Sequence, residues 1–197
     1  MFATAAKNTM LAAEPTTHVS LHSDWSATGA NELTGGSPVA YARQAATWDA
    51  PADAEKALAA AITFDVPAGA TVAWAGRWTA LTGGTFLGMS PLNGVETEFS
   101  VDLTANTIKQ VAHGHANGTQ VVFIGGTPPG GLTEGTLYFV VGATTDTYQV
   151  AATSGGSAID LTAEPTAACV ASKIVPETFG AEGGTQQITA LPLRMTH

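Results

Sequence analysis

Charged side chains are scarce in this sequence: Asp, Glu, Lys and Arg make up only 12% of its 197 residues, and Lys and Arg together number 7. The basic residues are scattered, and the formal net charge is −9. Because phosphate binding needs clustered Lys and Arg, the composition excludes nucleic acid as a partner. Low charge with abundant Gly, Ala and Thr disfavours helical bundles and favours tightly packed β structure with many turns. Such surfaces are also common in proteins that bury them against other subunits.

Cysteine and long apolar runs are scarce too. Cys169 is the single cysteine, which excludes an intrachain disulfide framework and favours a small buried side chain over a nucleophile. The best apolar run, Ala57–Phe64, is far shorter than the ~20 residues that a membrane helix requires. The N-terminus has no basic region followed by an apolar core, so no signal peptide is expected. We therefore expect a soluble protein, made in a cytoplasm without processing, with no membrane partner.

The most distinctive part of the chain is the stretch Leu21–Trp48, where two predicted strands flank a glycine-rich excursion. The first strand is His18–His22, and the second is Val39–Trp48, whose residues alternate between two faces. Gly, Asn and Pro residues between them mark turns that need positive or fixed φ angles. Trp25 lies in this excursion, where exposure is expected, and is therefore a candidate for contact with a glycan.

The rest of the first 90 residues predicts one short helix and several strands. Residues 4–13 predict the helix, and the alanine-rich segment 56–64 is ambiguous, with strand favoured by the turn that follows it. Ala70–Trp78 alternates as a strand, and Thr82–Thr85 is a hairpin signal before Phe86–Met89. The predicted core side chains in this part of the chain are Trp48, Phe64, Val72, Trp74, Trp78 and Phe86, and Phe99 is a further predicted core side chain just beyond it.

Residues 107–172 have a different sequence pattern, in which short predicted strands at near-regular spacing are separated by glycine-rich turns. The predicted strands are Ile108–Ala112, Gln120–Ile124, Thr136–Val141, Thr147–Ala152 and Ala158–Leu161. They predict a small antiparallel barrel or sandwich with its own core. The predicted core side chains of this module are Val121, Phe123, Tyr138, Val140, Tyr148 and Val150.

Two similar segments, Val95–Phe99 and Val175–Phe179, flank this module. Since insertions are tolerated at exposed turns, we interpret residues 98–176 as a module inserted into a domain made of residues 1–97 and 177–197. A serial arrangement of two domains with an extra tail is the alternative. The expected fold is all-β: an antiparallel, jelly-roll-like β-sandwich with a second small antiparallel β-barrel or sandwich inserted, and at most one short N-terminal helix.

Histidines offer only weak candidates for a metal site. An imidazole pair with a carboxylate, here His18, His22 and Asp24, is a common ligand set. Two residues four apart on a strand lie about 13 Å from each other, however, which is too far for one ion. His113 and His115 flank a glycine, and we expect a histidine there to close a turn by hydrogen bonding.

Acidic residues and recognised motifs do not indicate catalysis either. Asp49, Asp53 and Glu55 lack the central glycine and the ligand alternation of a calcium loop. A glycosidase would need two carboxylates facing each other across an aromatic groove, and no such pair is evident. No nucleophilic serine motif, phosphate-binding glycine loop or Cys/His pair is present. We therefore predict a protein that is not an enzyme, with no catalytic residues, no metal and no cofactor.

A series of short segments in the first 95 residues, continued after the module by residues 177–197, carries a resemblance to a known family. The segments are Ala6–Leu11, His18–His22, Thr28–Glu32, Gly35–Pro38, Tyr41–Arg43, Thr47–Trp48, Phe64–Gly69, Val72–Trp78 and Thr82–Gly84. In this order they resemble the minor tail or tail-fibre-like proteins of actinobacterial bacteriophages. The inserted part looks like a β module that recurs in phage virion proteins and that the family's simpler members lack. Its marks are His113–Gly114, Val121–Phe123, Leu132–Thr136, Tyr138–Val141 and Thr147–Val150.

This resemblance implies a virion structural protein, placed in the tail before the capsid, that assembles with itself as a trimer or tail ring and with other virion proteins. Burial of Ala, Thr and Gly surfaces between copies would hold the assembly together. The inserted module would point outward for host attachment. Two alternatives stay open: a capsid decoration protein, and a carbohydrate-binding module that recognises host cell-wall glycan through Trp25.

Overall fold

The computed structural model describes residues 2–36, 40–92, 94–166, 168–191 and 193–194, and in these ranges the protein is all-β with one short helix. Helix α1 spans Thr4–Ala12. The strands are β1 His18–His22, β2 Gln44–Ala45, β3 Glu55–Lys56, β4 Ile62–Val66, β5 Thr71–Val72, β6 Trp74–Trp78, β7 Phe86–Pro91, β8 Ser100–Asp102, β9 Thr107–Lys109, β10 Gln120–Ile124, β11 Tyr138–Val141, β12 Thr147–Ala151, β13 Val170–Lys173, β14 Glu177–Thr178, β15 Gly184–Ile188 and β16 Leu193–Arg194. The predicted all-β class with a short N-terminal helix is confirmed.

The first compact unit consists of Met1–Leu92 and Pro176–His197. Its main sheet has four antiparallel strands in the order β2-β1-β6-β7. Three two-stranded ladders join late strands to early ones: β14 to β5, β15 to β4 and β16 to β3. In the longest ladder, β15 pairs along the whole of β4. The segment after residue 176 therefore supplies one strand to each of these ladders.

The core of the first unit lies between the main sheet and the β4–β15 ladder. Val19 and Leu21 of β1 and Ala75 of β6 are buried together with Phe64 of β4. Along β4, buried and exposed side chains alternate strictly, as expected for a strand with one face in the core. Burial of each large apolar side chain stabilises the fold by about 2 kcal/mol. The two layers form an antiparallel sandwich.

The second unit, Asn93–Val175, is a six-stranded antiparallel sheet with the order β13-β10-β11-β12-β9-β8. One isolated bridge joins Thr97, which precedes β8, to Ala171 of β13 through backbone hydrogen bonds of 2.8 and 3.0 Å. The sheet thus curls until its two edges meet at one point, although no continuous ladder closes it in the described ranges. The core inside it is formed by Ile108, Val121, Phe123, Tyr138, Val140, Tyr148, Val150, Leu161, Cys169 and Ala171.

The predicted core side chains are either half-buried or buried in the structure. Three of them, Trp48, Phe86 and Phe99, are half-buried. The others are buried: Phe64, Val72, Trp74, Trp78, Val121, Phe123, Tyr138, Val140, Tyr148 and Val150.

The predicted strand Val39–Trp48 is much shorter in the structure, where only Gln44–Ala45 pairs with β1. Val39 lies outside the described residues. The reason is that the free edge of β1 is shared between two segments. Gln44–Ala45 pairs with its first two residues, whereas Leu33 N–H donates to Leu21 O and Glu32 forms a bridge with His22. The excursion thus folds back onto the edge that a longer strand would have occupied.

The sixth strand of the second unit also differs from the prediction. Ala158–Leu161 is not a strand in the structure, although Ile159 N–H donates to Val150 O. The sheet is completed instead by β13, Val170–Lys173, which pairs with β10. At the other edge, the strand consists of β8 alone, and Thr97 contributes only its bridge.

Independent folding of the second unit stays a prediction, and its self-contained core leads us to expect it. Residues 93–175 expressed alone should unfold cooperatively in urea. Ile108→Ala should lower the free energy of unfolding by about 3 kcal/mol, because Ile108 is fully buried in that core. The matched control Val111→Ala should change it little, since Val111 is 85% exposed. A non-cooperative transition, or equal effects of the two variants, would contradict an independent domain.

Candidate functional site

The glycine-rich excursion after β1 folds over the face of the main sheet that points away from the core, and Ser26 fixes its path. The Ser26 hydroxyl oxygen accepts the backbone N–H groups of Thr28 at 3.1 Å and Ala30 at 2.9 Å. The backbone N–H of Ser26 donates to the sulfur of Met89, on β7, at 3.3 Å. A serine hydroxyl that binds nearby backbone groups stabilises a tight turn. The excursion is therefore built as an ordered cover.

Gly29 lies where this cover touches the sheet, against the indole ring of Trp78. Its φ angle is 81°, and a Cβ atom at this position would lie 2.6 Å from two atoms of the Trp78 ring and 2.9 Å from Phe86. The Trp78 and Phe86 rings pack with centroids 5.1 Å apart. Both the left-handed backbone and the close approach require glycine.

Beneath the cover, a chain of hydrogen bonds runs through the fully buried His22. The Trp78 indole N–H donates to Ser20 Oγ at 2.8 Å, and Ser20 Oγ lies 2.7 Å from His22 Nε2. His22 Nδ1 lies 2.8 Å from the carbonyl oxygen of Ala30. Because that carbonyl only accepts, Nδ1 carries the hydrogen, and Nε2 accepts from the Ser20 hydroxyl. Gly76 leaves the space for this chain, since a Cβ there would overlap both His22 and Ser20.

His22 is therefore neutral in the fold. Burial lowers its pKa, and the positive charge of Arg43 acts in the same direction. The hydrogen bond to Ala30 and the charge of Glu32 oppose this shift but are smaller effects. A neutral, buried and doubly hydrogen-bonded histidine is suited to holding the cover on the sheet. It is not positioned to exchange protons with a substrate.

The Arg43 side chain also contacts the Trp78 ring. Its guanidinium carbon lies 3.5 Å from the ring centroid, a cation–π arrangement. It also makes a two-pronged ion pair with Glu32, Nε to Oε1 at 2.8 Å and Nη2 to Oε2 at 2.7 Å. The remaining Nη1 group donates to the carbonyl oxygens of Ala80 and Gly83, in the β6–β7 hairpin. Arg43 thus ties the excursion to the hairpin.

Tyr41 extends this network toward the core. Its hydroxyl oxygen accepts the backbone N–H of Leu21 at 2.7 Å and lies 3.4 Å from Glu32 Oε1. Burial raises the pKa of Tyr41 well above its ordinary value, so the phenol stays protonated. Sequence reasoning missed the joint role of Tyr41, Arg43 and Glu32. The one available signal was an arginine within a glycine-rich stretch of a chain that has so few basic residues.

Trp25 lies half-buried at the outer side of the cover. The backbone on both sides of its ring is fixed, because its N–H donates to Asp24 Oδ1 at 2.8 Å and its carbonyl accepts from the Asn31 amide at 3.2 Å. Trp48, which is also half-buried, differs: its indole N–H donates to the carbonyl oxygen of Thr16 at 3.0 Å. Trp25 is therefore a partly exposed indole on a loop whose backbone is fixed by hydrogen bonds.

The structure does not bring the other candidate groups together as a metal site. Whereas His22 is enclosed, His18 is half-buried with its Nδ1 2.9 Å from the Thr17 hydroxyl. His113 Nδ1 accepts the backbone N–H of His115 at 2.9 Å and so closes a turn. Within the described ranges, no three or more His, Cys, Asp or Glu side chains are arranged to hold a metal ion.

The remaining candidate acids and the cysteine lie in different parts of the structure and do not form a common site. Asp49 and Asp53 are exposed, and Glu55 lies on β3. Cys169 is buried in the second unit, where burial and the charge of Glu134 raise the pKa of its thiol to about 11. A thiol with such a pKa is protonated at neutral pH and is a poor nucleophile.

A substitution at Gly29 tests whether the cover depends on its contact with Trp78. Gly29→Ala should reduce the free energy of unfolding by about 2–4 kcal/mol, since it adds overpacking to left-handed strain. Gly35→Ala is the matched control, because Gly35 also has a positive φ, 66°, but no atom lies within 4 Å of the added Cβ. It should cost about 1 kcal/mol, the strain alone. Equal losses in urea unfolding for the two variants would show that the contact does not matter.

Comparison with known proteins identifies the family to which this chain belongs. No curated protein and no solved structure matches this chain. No helix in the described part of the chain has the length and apolarity needed to cross a membrane. A family model described as podophage GP4 fiber I protein gp80 matches residues 2–113, more than half of the chain. This confirms the expected likeness to phage tail-fibre proteins, whereas the actinobacterial origin and the inserted module stay predictions. The chain belongs to the podophage GP4 fiber I protein gp80 family.

Proposed function

We propose that this phage fibre protein is a minor tail component that assembles with copies of itself about a symmetry axis, as a trimer or a tail ring. The observation that carries the proposal is the fibre family match over residues 2–113. A fibre is built by repeating subunits, and closed symmetric assembly is the usual arrangement of identical chains. In this proposal the second unit is presented to the exterior, where host attachment takes place.

The distribution of charge supports contacts through uncharged surface. Arg43 pairs with Glu32, Arg77 with Glu14, and Lys109 with Asp102, all within the same chain. Basic groups that are already paired internally contribute little to ion pairs between copies. The net charge of −9 makes the copies repel one another. Attraction between copies therefore comes from burial of Ala, Thr and Gly surface.

This reasoning predicts how assembly responds to salt. The purified chain should form one discrete multimer in mass photometry, and its share should hold or rise as ionic strength increases from about 0.05 to 0.5 M, because salt screens the repulsion. Lys109→Ala, which removes an exposed ion pair, should leave the multimer unchanged. A monomer under all conditions, or a multimer that dissociates with added salt, would count against the proposal. Gold labelling of intact particles then distinguishes a tail position from capsid decoration.

The geometry of Trp25 favours a second candidate function, recognition of host cell-wall glycan. Aromatic rings stack on the apolar faces of sugars, and a ring on a loop already fixed by hydrogen bonds loses little entropy on binding. Trp25 is half-exposed, and its flanking backbone groups are bonded to Asp24 and Asn31. Both proposals are compatible in one protein, since a fibre subunit can also contact the host surface.

Trp25→Ala tests the glycan proposal. The wild-type chain should bind isolated host cell wall in a pull-down, and Trp25→Ala should weaken that binding at least tenfold, about 1.4 kcal/mol. Leu81→Ala is the control, because Leu81 is an exposed apolar side chain, 50% accessible, on the hairpin tip. It should bind like the wild type. Absence of wild-type binding would exclude glycan recognition and leave the fibre assignment intact.

A further inference from the structure

In the second unit, a pair of imidazoles covers one end of the core. The turn of residues 110–119, here called the histidine turn, places the His113 and His115 rings with centroids 4.9 Å apart. Both rings contact Tyr148, at 4.9 and 5.4 Å between centroids. Tyr148 is fully buried, whereas the two histidines are half-buried. The imidazoles therefore lie between the core tyrosine and the solvent.

Hydrogen bonds specify the protonation state of His113. The backbone N–H of His115 donates to His113 Nδ1 at 2.9 Å, which requires a lone pair on that nitrogen. The hydrogen is then on Nε2, which lies 3.3 Å from the carbonyl oxygen of Thr147. Protonation would convert Nδ1 into a donor that faces another donor. The turn is thus built for a neutral His113.

The surroundings of His115 make protonation of its ring costly. Burial lowers the pKa of His115, and the charges of His113 and of Lys173, on β13, lower it further. The Asp146 carboxylate accepts a hydrogen bond from the backbone N–H of Ala112 at 2.9 Å. The Tyr148 hydroxyl donates to Gln110 Oε1 at 3.2 Å. Two imidazolium groups 4.9 Å apart, beside a lysine, would repel each other.

The backbone of the histidine turn is also strained. Ala112 has a φ angle of 51°, a left-handed conformation that a side chain with Cβ disfavours. Contacts to the segment 140–148 hold it in place: Gln110 N–H donates to Asp146 O, Gly118 N–H to Val140 O, and Ala143 N–H to Asn117 Oδ1. The histidine turn therefore combines one strained residue with hydrogen bonds that oppose its opening.

We propose that His113 and His115 form an acid-released latch, in which protonation of His115 detaches the histidine turn from Tyr148 and opens this end of the second unit's core. The sign follows from linkage. A detached imidazole takes up a proton near pH 6.5, whereas the docked His115 resists it because burial lowers its pKa. The docked form is therefore fully stabilised above pH 6.5. Its stability relative to the detached form falls as the pH drops below 6.5, and this fall ends at the pH where His115 also takes up a proton in the docked form.

Hydrogen exchange of the full chain at pH 7.5 and pH 5.0, corrected for intrinsic rates, tests the latch. Opening of residues 110–119 should rise several-fold from pH 7.5 to pH 5.0, and by no more than about thirtyfold for the one proton that His115 takes up, because pH 5.0 lies about 1.5 pH units below the pKa of a free imidazole. Exchange of β1 in the first unit should stay unchanged, which separates local release from global unfolding. Equal protection of the turn at both pH values, or equal loss in β1, would overturn the proposal.

Two substitutions remove the titration while keeping the packing. His113→Asn retains an acceptor near the Nδ1 position, and His115→Phe retains a ring against Tyr148. The double variant should exchange at pH 5.0 as the wild type does at pH 7.5, whereas the control His18→Asn, in the first unit, should behave like the wild type. An unchanged pH dependence in the double variant would refute the latch. An NMR titration of the wild-type His115 ring provides a check that needs no variant: a pKa at or above 6.5 would also refute it.

Discussion

The indole of Trp78 is the constraint on which the first unit's outer layer depends. One face carries the Arg43 guanidinium at 3.5 Å, and Gly29 approaches the ring so closely that no Cβ fits. Phe86 packs beside it, and its N–H begins the chain of hydrogen bonds through Ser20. The main sheet, the β6–β7 hairpin and the glycine-rich excursion thus all contact the same indole ring. The glycines of the excursion serve this contact, because only a backbone without a side chain can lie on an aromatic ring and turn immediately.

Two basic side chains of the first unit, Arg43 and Lys56, are held in place by contacts within the fold. Arg43 bridges Glu32, the Trp78 ring and two hairpin carbonyls. Lys56 is buried, and its ammonium donates to the carbonyl oxygen of Glu14 at 3.2 Å. Side chains committed in this way are not available for phosphate or for a partner's carboxylates. The same scarcity of free basic groups underlies the proposal that copies of the chain contact one another through uncharged surface.

Alternation along the sequence predicted strands that have one buried face, and it failed where an edge is shared. In β11 and β12 buried and half-buried residues largely alternate, and both lie within the predicted strands Thr136–Val141 and Thr147–Ala152. β10 is buried on both faces and was nevertheless predicted with its bounds, Gln120–Ile124, whereas β13, whose first three residues are also all buried, was missed. The segment before Trp48 alternates, yet the edge of β1 is already shared with Glu32 and Leu33. The site's central ion pair was also missed, since no local pattern relates Glu32 to Arg43.

The family match crosses the boundary between the two units. It runs to residue 113, whereas the first unit's opening segment ends at Leu92, so the matched residues include the β8–β9 hairpin. An isolated two-stranded hairpin is marginal in water. Here β9 pairs with β12, and Ile108 of β9 is fully buried among side chains that follow residue 113. A relative limited to the matched residues would need another partner for this hairpin. The sequence shared with the fibre family therefore contains an edge that requires further strands to be stable.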